Sequence, residues 1–308
     1  VLIITNGDSA VASIGEAGIE AEVLPWRDVL HDGPVPADLS LAELAVVRAR
    51  FLADEGWGAF EDLHSSFCRR DERLGRAVAD GEVVLWFEHD LYDQLQLVQV
   101  MDWFAEPGRR SERLTLVCHD HFVSETSPDQ LQLDFAERQP ATEDQLALAS
   151  ATWAAIRSPT PEPWVDLLQE DHAAMPFVGA AMQRFIEELP GKDGLARSER
   201  QILRVVAEGS QEPPAAFPAV QRLEEAAYLG DASFFRYVVR LAGGPAPLLL
   251  REGDRLGLTD SGRAVLDGRE DFVRIGGLQR WLGGVRLCRD NTWRWDAERR
   301  TLRHRKAE

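Results

Sequence analysis

The sequence is short of cysteine, of long hydrophobic runs and of standard nucleotide-binding fingerprints, and each shortage narrows its class. Its three cysteines, Cys68, Cys118 and Cys288, are odd in number and far apart, which excludes a disulfide framework and suits a reducing cytoplasm. No apolar run approaches the roughly 18 residues of a membrane helix. Asp8 interrupts the first apolar run and no basic segment precedes it, so no signal peptide is expected. Neither G-x-G-x-x-G nor a Walker loop follows a candidate strand, which excludes the standard dinucleotide and nucleoside triphosphate modes. Internal repeats and low-complexity tracts are also missing, so a solenoid is excluded.

What is present is an ordinary globular composition, 44% hydrophobic and 28% charged, over 308 residues. That length suffices for two or three domains with real cores. The net charge of −18 is unevenly spread: residues 272–308 hold ten Lys and Arg against four Asp and Glu. The rest is strongly acidic and repels phosphates, so weak nucleic-acid contact is expected only through the basic tail.

Four short apolar runs, "LIIT" (2–5), "AEVLPW" (21–26), "EVVLWF" (82–87) and "RLTLVC" (113–118), alternate with amphipathic helical patterns. Near-continuous apolar runs mark strands covered on both faces. The fold class expected is therefore α/β, an open, mostly parallel sheet flanked by helices. After it comes a helical part, broken at "SPTPEPW" (158–164), then three helices and a strand–turn–strand in winged-helix order. "VRLCRDNTWRWD" alternates about Asp290-Asn291 and predicts a C-terminal hairpin. The divisions expected are 1–126 α/β, 127–190 helical connector, 191–271 winged-helix-like, and 272–308 basic hairpin and tail.

Each candidate strand ends in polar, chemically capable residues. The first is followed by Asn6, Gly7, Asp8 and Ser9, and the second by Arg27, Asp28, His31, Asp32, Gly33 and Pro34. Glu88, His89 and Asp90 follow the third, and His119, Asp120 and His121 the fourth. Open α/β sheets bind ligands at the carboxyl ends of their strands, so these clusters predict one small-molecule site. Asp8, Asp28, His31, Glu88 and Asp90 are its candidate acid–base groups. Asn6, Gly7, Ser9, Arg27, Asp32, Gly33, Pro34 and His89 are its candidate ligand contacts. Each also has a bland role. Asp8, Ser9 and Asp90 suit helix caps, Gly7 and Gly33 suit positive-φ turns, and Trp26 and Trp86 suit the core or its rim.

Three chemistries compete there. Ser9 with Asp28-x-x-His31 resembles the Gly-Asp-Ser hydrolases, whose Asp-x-x-His pair has this spacing, but no oxyanion-hole block lies between them. His119, His121, Glu88, His89, Asp8 and Asp28 together suit Mn, Fe or Zn, which leaves a metal and a metal-dependent hydrolase open. The third chemistry binds a polar or anionic molecule at helix N-termini.

The blocks "NGDS", "WRDVLHDGPVP" and "WFEHDLYDQLQL" resemble the bacterial family called domain of unknown function 1835. "SERQIL", "EEAAYLGDASFF", "LTDSGRAVLDG", "RWLGGVRL" and "WRWD" are similar to its partner, domain of unknown function 3658. The resemblance implies that Asp8, Ser9, Asp28, Gly33 and Pro34 belong to the site, with Gln94 a further ligand contact, and it names no activity. The function expected is an enzyme, or an enzyme-derived binder, acting on a small polar or phosphorylated metabolite. The alternative is a ligand-sensing transcriptional regulator. Between Ala196 and Gly268 basic and acidic residues nearly cancel, so the winged-helix-like part is expected to pack or to form a homodimer.

Overall fold

The computed structural model describes residues 1–79, 81–109, 113–209 and 212–305. The helical pattern before the third apolar run and the basic tail therefore run partly outside the described residues, at Asp80 and at 306–308. Two compact units are present, Val1–Met182 and Gln183–Glu308.

The first unit is built on β1 (Leu2–Thr5), α1 (Asp8–Glu16), β2 (Glu22–Pro25), β3 (Gly33–Pro34), α2 (Leu41–Asp54) and α3 (Phe60–Ala77). It continues with β4 (Val83–Glu88), α4 (Leu91–Ala105), β5 (Leu114–His119), α5 (Pro128–Ala136), β6 (Gln139–Pro140), α6 (Glu143–Ile156) and α7 (Glu162–Leu167). One five-stranded sheet runs β2-β1-β4-β5-β6, parallel except for the last pair. The apolar runs thus form the parallel sheet expected of them. β1 and β4 are buried along their whole length. Ile3, Val84, Trp86 and Val117 share a core with Ala10 and Ile14 of α1 and Leu131 of α5. Trp26 and Trp86 are both buried.

Local signals set the helix starts. α2 and α6 open on capping boxes, Ser40 with Glu43 and Thr142 with Gln145. α5 opens on Ser127 with Pro128 behind it. The Pro-rich stretch starts α7 instead of separating domains, because the Trp164 indole donates to the Ala155 carbonyl at 2.7 Å. The connector helices α5 to α7 accordingly belong to the first unit.

The second unit holds α9 (Arg197–Ala207), α10 (Pro213–Gln221) and α11 (Asp231–Ala242), then the hairpin of β7 (Leu249–Glu252) with β8 (Arg255–Leu258), and α12 (Asp260–Leu266). α8 (Val178–Ile186) spans the join with the first unit, and α13 (Phe272–Gly276) leads into the C-terminal strands. The expected hairpin about Asp290-Asn291 needs correcting. β10 (Val285–Cys288) pairs back with β9 (Gln279–Gly283), and β11 (Thr292–Asp296) pairs forward with β12 (Thr301–Arg305). The predicted arms share no ladder, only the bridge Cys288↔Asn291 and side-chain bonds from Asn291 and Thr292 to the carbonyls of Arg286 and Cys288. Alternation identifies strands but does not choose their partners. Among the described residues no helix is long and apolar enough to cross a membrane.

Candidate functional site

Register brings the polar clusters to one edge. Thr5 pairs with Pro25 on one side and Trp86 on the other, and Glu88 pairs with His119. The chain order reverses between β1 and β4: β1 connects to β2 on one side, and β4 to β5 on the other. Such a reversal opens a crevice at the strand ends.

Three carboxyl groups sit at this point. Glu88 ends β4, Asp90 caps α4, and Asp93 lies in the first turn of α4. Their relative exposures are only 7%, 4% and 0%. One oxygen from each lies within 4.8 Å of the others. Asn6 ties the trio to β1: its Nδ2 donates to Glu88 Oε2 at 3.1 Å and to Asp93 Oδ2 at 2.8 Å. Backbone N–H groups do the rest. Val123 donates to Glu88 Oε1 at 2.7 Å, Glu88 to Asp93 Oδ1 at 2.7 Å, and Asp93 to Asp90 Oδ1 at 3.1 Å. Gln94 fastens the end of β4 by donating to the Glu88 carbonyl at 2.7 Å, and it reaches the Cys118 sulfur at 3.3 Å.

No described Lys or Arg pairs with the trio. Burial, then the Asp93 charge, pushes the Glu88 carboxyl up to about 8. Burial and neighbouring carboxylates raise Asp90 and Asp93 as well. Like charges this close in a dry site cannot all ionise, so the trio retains protons where isolated carboxylates would lose them. A divalent ion bound by hard oxygen ligands is the other way to compensate it, and these three residues could hold one.

The rim is more open. Asp8 and Ser9 are exposed and form the first residues of α1, past its N-cap. Neither caps that helix, contrary to the sequence expectation: the N-cap is Gly7, and no side chain serves it. Gly7 has an extended backbone at φ −159°, so positive φ is not its reason for being glycine. Asn6 Oδ1 accepts from its N–H at 2.7 Å. Asp8 instead pairs with Arg27 of the second cluster, Arg27 Nε lying 3.1 and 3.0 Å from its two oxygens. Their side chains are 72% and 54% exposed.

The loop after β2 is organised by a residue not singled out from sequence. Arg48 of α2 is buried and binds Asp28 with Nε–Oδ1 at 3.0 Å and Nη2–Oδ1 at 2.9 Å. It also donates to the carbonyls of Val29 (2.8 Å), Asp32 (2.8 Å) and Pro34 (3.3 Å). Asp28 is thereby committed to holding the loop rather than to acid–base work. Gly33 has φ +84°, and a Cβ there would lie 2.4 Å from the Phe51 ring, so only glycine fits. His31 is buried, edge-on to Tyr92 at 5.9 Å between centroids. The Ser9 hydroxyl makes no hydrogen bond to either residue, so the triad spacing does not become a triad.

His89 lies between Phe122 and Phe177, and burial lowers its proton affinity. His119 and His121 face Asp134 of α5. Arg48, Asp93 and Asp134 were missed from sequence. Asp93 alone left a signal, as a second acid one helical turn after a capping Asp.

No family model matches the chain, and no curated protein matches it.

Proposed function

We propose that the first unit is an enzyme, or an enzyme-derived binder, for a small polar or phosphorylated metabolite. The ligand sits in the crevice between β1 and β4. The observation that carries this reading is the buried trio Glu88, Asp90 and Asp93, with no described Lys or Arg beside it, at the reversal of strand order. A carboxyl group that holds its proton near neutrality can donate to a substrate oxygen or nitrogen while its ionised neighbour accepts. Glu88 is the acid–base residue in this scheme, and Asn6 positions it. Ser9 and the uncapped start of α1 offer N–H groups to an anionic end of the ligand. A second reading follows from the spacing of the same oxygens, in which a hard divalent cation joins the trio and assists hydrolysis.

Kinship with the domain of unknown function 1835 family and a cytoplasmic setting belong to the same proposal, which the three free thiols support. The regulator role has less support. Part of the tail's positive charge is neutralised on the spot, Arg294 by Asp271 and Arg299 and Arg303 by Asp296.

The test is a thermal-shift screen of sugar phosphates, nucleotides and amino acids, with and without Mg²⁺, on the wild type and on Glu88→Gln. A compound that stabilises both proteins but is turned over only by the wild type supports the acid–base role. Stabilisation that requires Mg²⁺ favours the cation reading. A hit unaffected in binding and turnover by Glu88→Gln and Asp93→Asn together sinks both.

A further inference from the structure

β6 covers only part of the outer edge of β5. It pairs with Thr115 and Leu116 and reaches no further toward the carboxyl end. The Ala141 N–H bonds to the Leu114 carbonyl at 2.9 Å. In an antiparallel pair every second residue turns its N–H and C=O to the partner. Cys118 therefore turns its peptide groups the same way as Leu114 and Leu116, past the end of the β6 pairing. A cavity of about 210 Å³ lies along this edge, and Leu97, Leu116, Met175 and Phe177 give it apolar walls.

Two buried polar side chains reach the edge from opposite faces of the sheet, because neighbouring strand residues project to opposite sides. On the α4 face, Gln94 Nε2 lies 3.3 Å from the Cys118 sulfur and donates to the Glu88 carbonyl at 2.7 Å. The amide nitrogen is thereby engaged. Gln94 Oε1 has no donor among the described residues, although Gln94 is only 3% exposed. On the α5 face, Asp134 is equally buried. Its described donors are His121 Nε2, 3.0 Å from Oδ2, and Gln130 Nε2, 2.8 Å from Oδ1, with His119 Nε2 farther off at 3.7 Å. A carboxylate has room for about four hydrogen bonds, so these leave it short. Gln94 and Asp134 both line the cavity.

Charge sets the sign of what would fit. Asp134 and Glu137 are the acids among the walls, and Arg138 is the described arginine there. Its guanidinium is already taken by Glu82, with Nε–Oε1 at 2.7 Å and Nη2–Oε2 at 3.0 Å, and by the Phe135 carbonyl at 2.6 Å. Buried acceptors left without a cation of their own favour a positively charged donor. None of the trio's carboxyl groups lines this cavity.

We infer that the cavity is a second ligand site, for a small organic cation: an ammonium group on a short aromatic or apolar body. Asp134 is its counter-ion, Gln94 Oε1 and the Cys118 carbonyl are further acceptors, and the apolar walls take the body. A cavity of about 150 Å³ admits benzene, so this one has room for a ring with a short amine arm.

The full chain is titrated by calorimetry with phenethylamine, with phenethyl alcohol as its neutral counterpart and phenylacetate as its anionic one. The amine is expected to bind at one site, at least about tenfold tighter than the alcohol, as a charged hydrogen bond against a neutral one allows. Phenylacetate is expected not to bind. Asp134→Asn keeps the side-chain shape and should erase the preference for amine over alcohol. Ala174→Phe, which fills the cavity and leaves the charged groups in place, should abolish amine binding, and it keeps the test open should Asp134→Asn fail to fold. Equal affinity for amine and alcohol in the wild type would overturn the inference, as would no amine binding at millimolar concentration. So would undiminished amine binding in Ala174→Phe, or binding lost in Glu88→Gln and kept in Asp134→Asn, which would place the amine on the trio.

Discussion

Two buried carboxylate centres, one in each unit, treat the same problem in opposite ways. In the second unit Glu188 is fully buried, yet two arginines draw its carboxyl down to about 2 against the upward pull of burial. Arg184 Nη1 sits 2.8 Å from its Oε1 and Arg280 Nη2 sits 3.7 Å from its Oε2. Ser198 and Tyr237 complete the shell at 2.8 and 3.1 Å. In the first unit the trio around Glu88 has comparable burial and, among the described residues, only neutral donors, and its proton affinities rise. Burial is common to both, so burial alone does not mark a reactive site. The discriminating feature is the missing cation: a compensated centre is finished as architecture, whereas an uncompensated one leaves room for a proton, an ion or a substrate charge.

The contrast can be broken most forcefully at Arg184. Arg184→Ala leaves Glu188 and Glu224 buried without their main partner and should cost about 3–5 kcal/mol, read as a lower urea midpoint. A loss below about 1 kcal/mol would mean that the second centre is not held by its ion pairs.

The opposite sign is expected at Glu88. Its proton affinity is higher in the folded chain than in the unfolded one. Stability is therefore greatest below the ordinary carboxyl value of 4.5 and falls as the pH climbs through about 8. Glu88→Gln should flatten that slope, leaving the variant roughly 1–3 kcal/mol more stable than the wild type at alkaline pH and no better in acid. Denaturant melts at three pH values measure it, and parallel curves for the two proteins would dissolve the contrast.

Asn6→Ala, which removes the donor shared by Glu88 and Asp93, should cost about 1.5–3 kcal/mol, as hydrogen bonds to charged or strongly polar acceptors do. The smallest effects belong to the rim. Ser9→Ala should stay within about 0.5 kcal/mol, because its exposed hydroxyl caps nothing. Asp8→Ala should cost at most about 1 kcal/mol, as for other surface pairs. A larger loss at Ser9 would restore the capping role that the geometry removes.

Sequence reading reached the sheet and the edge where polar residues gather, because both depend on short-range patterns. Buried strands read as apolar runs, and strand ends read as polar breaks. It did not reach the partners. Arg48 sits in an amphipathic helix where an arginine usually faces water, and only its neighbours across the fold reveal that it clamps the loop of Asp28. Asp93 reads as an acid favouring a helix N-terminus, and its meeting with Asn6 spans 87 positions. Asp134 likewise reads as a surface residue of α5. The C-terminal strands were placed but mispaired at Asp290-Asn291, since the alternation that identifies a strand is indifferent to which neighbour it joins.

The ends of the five-stranded sheet have a bearing on how crowded solutions treat this protein. Its outermost strands are β2, finishing at Pro25, and the two-residue β6, finishing at Pro140. A proline offers no amide hydrogen to an incoming chain, and a two-residue margin offers hardly any ladder to extend. Sheet-to-sheet recruitment between molecules is thus discouraged at both margins.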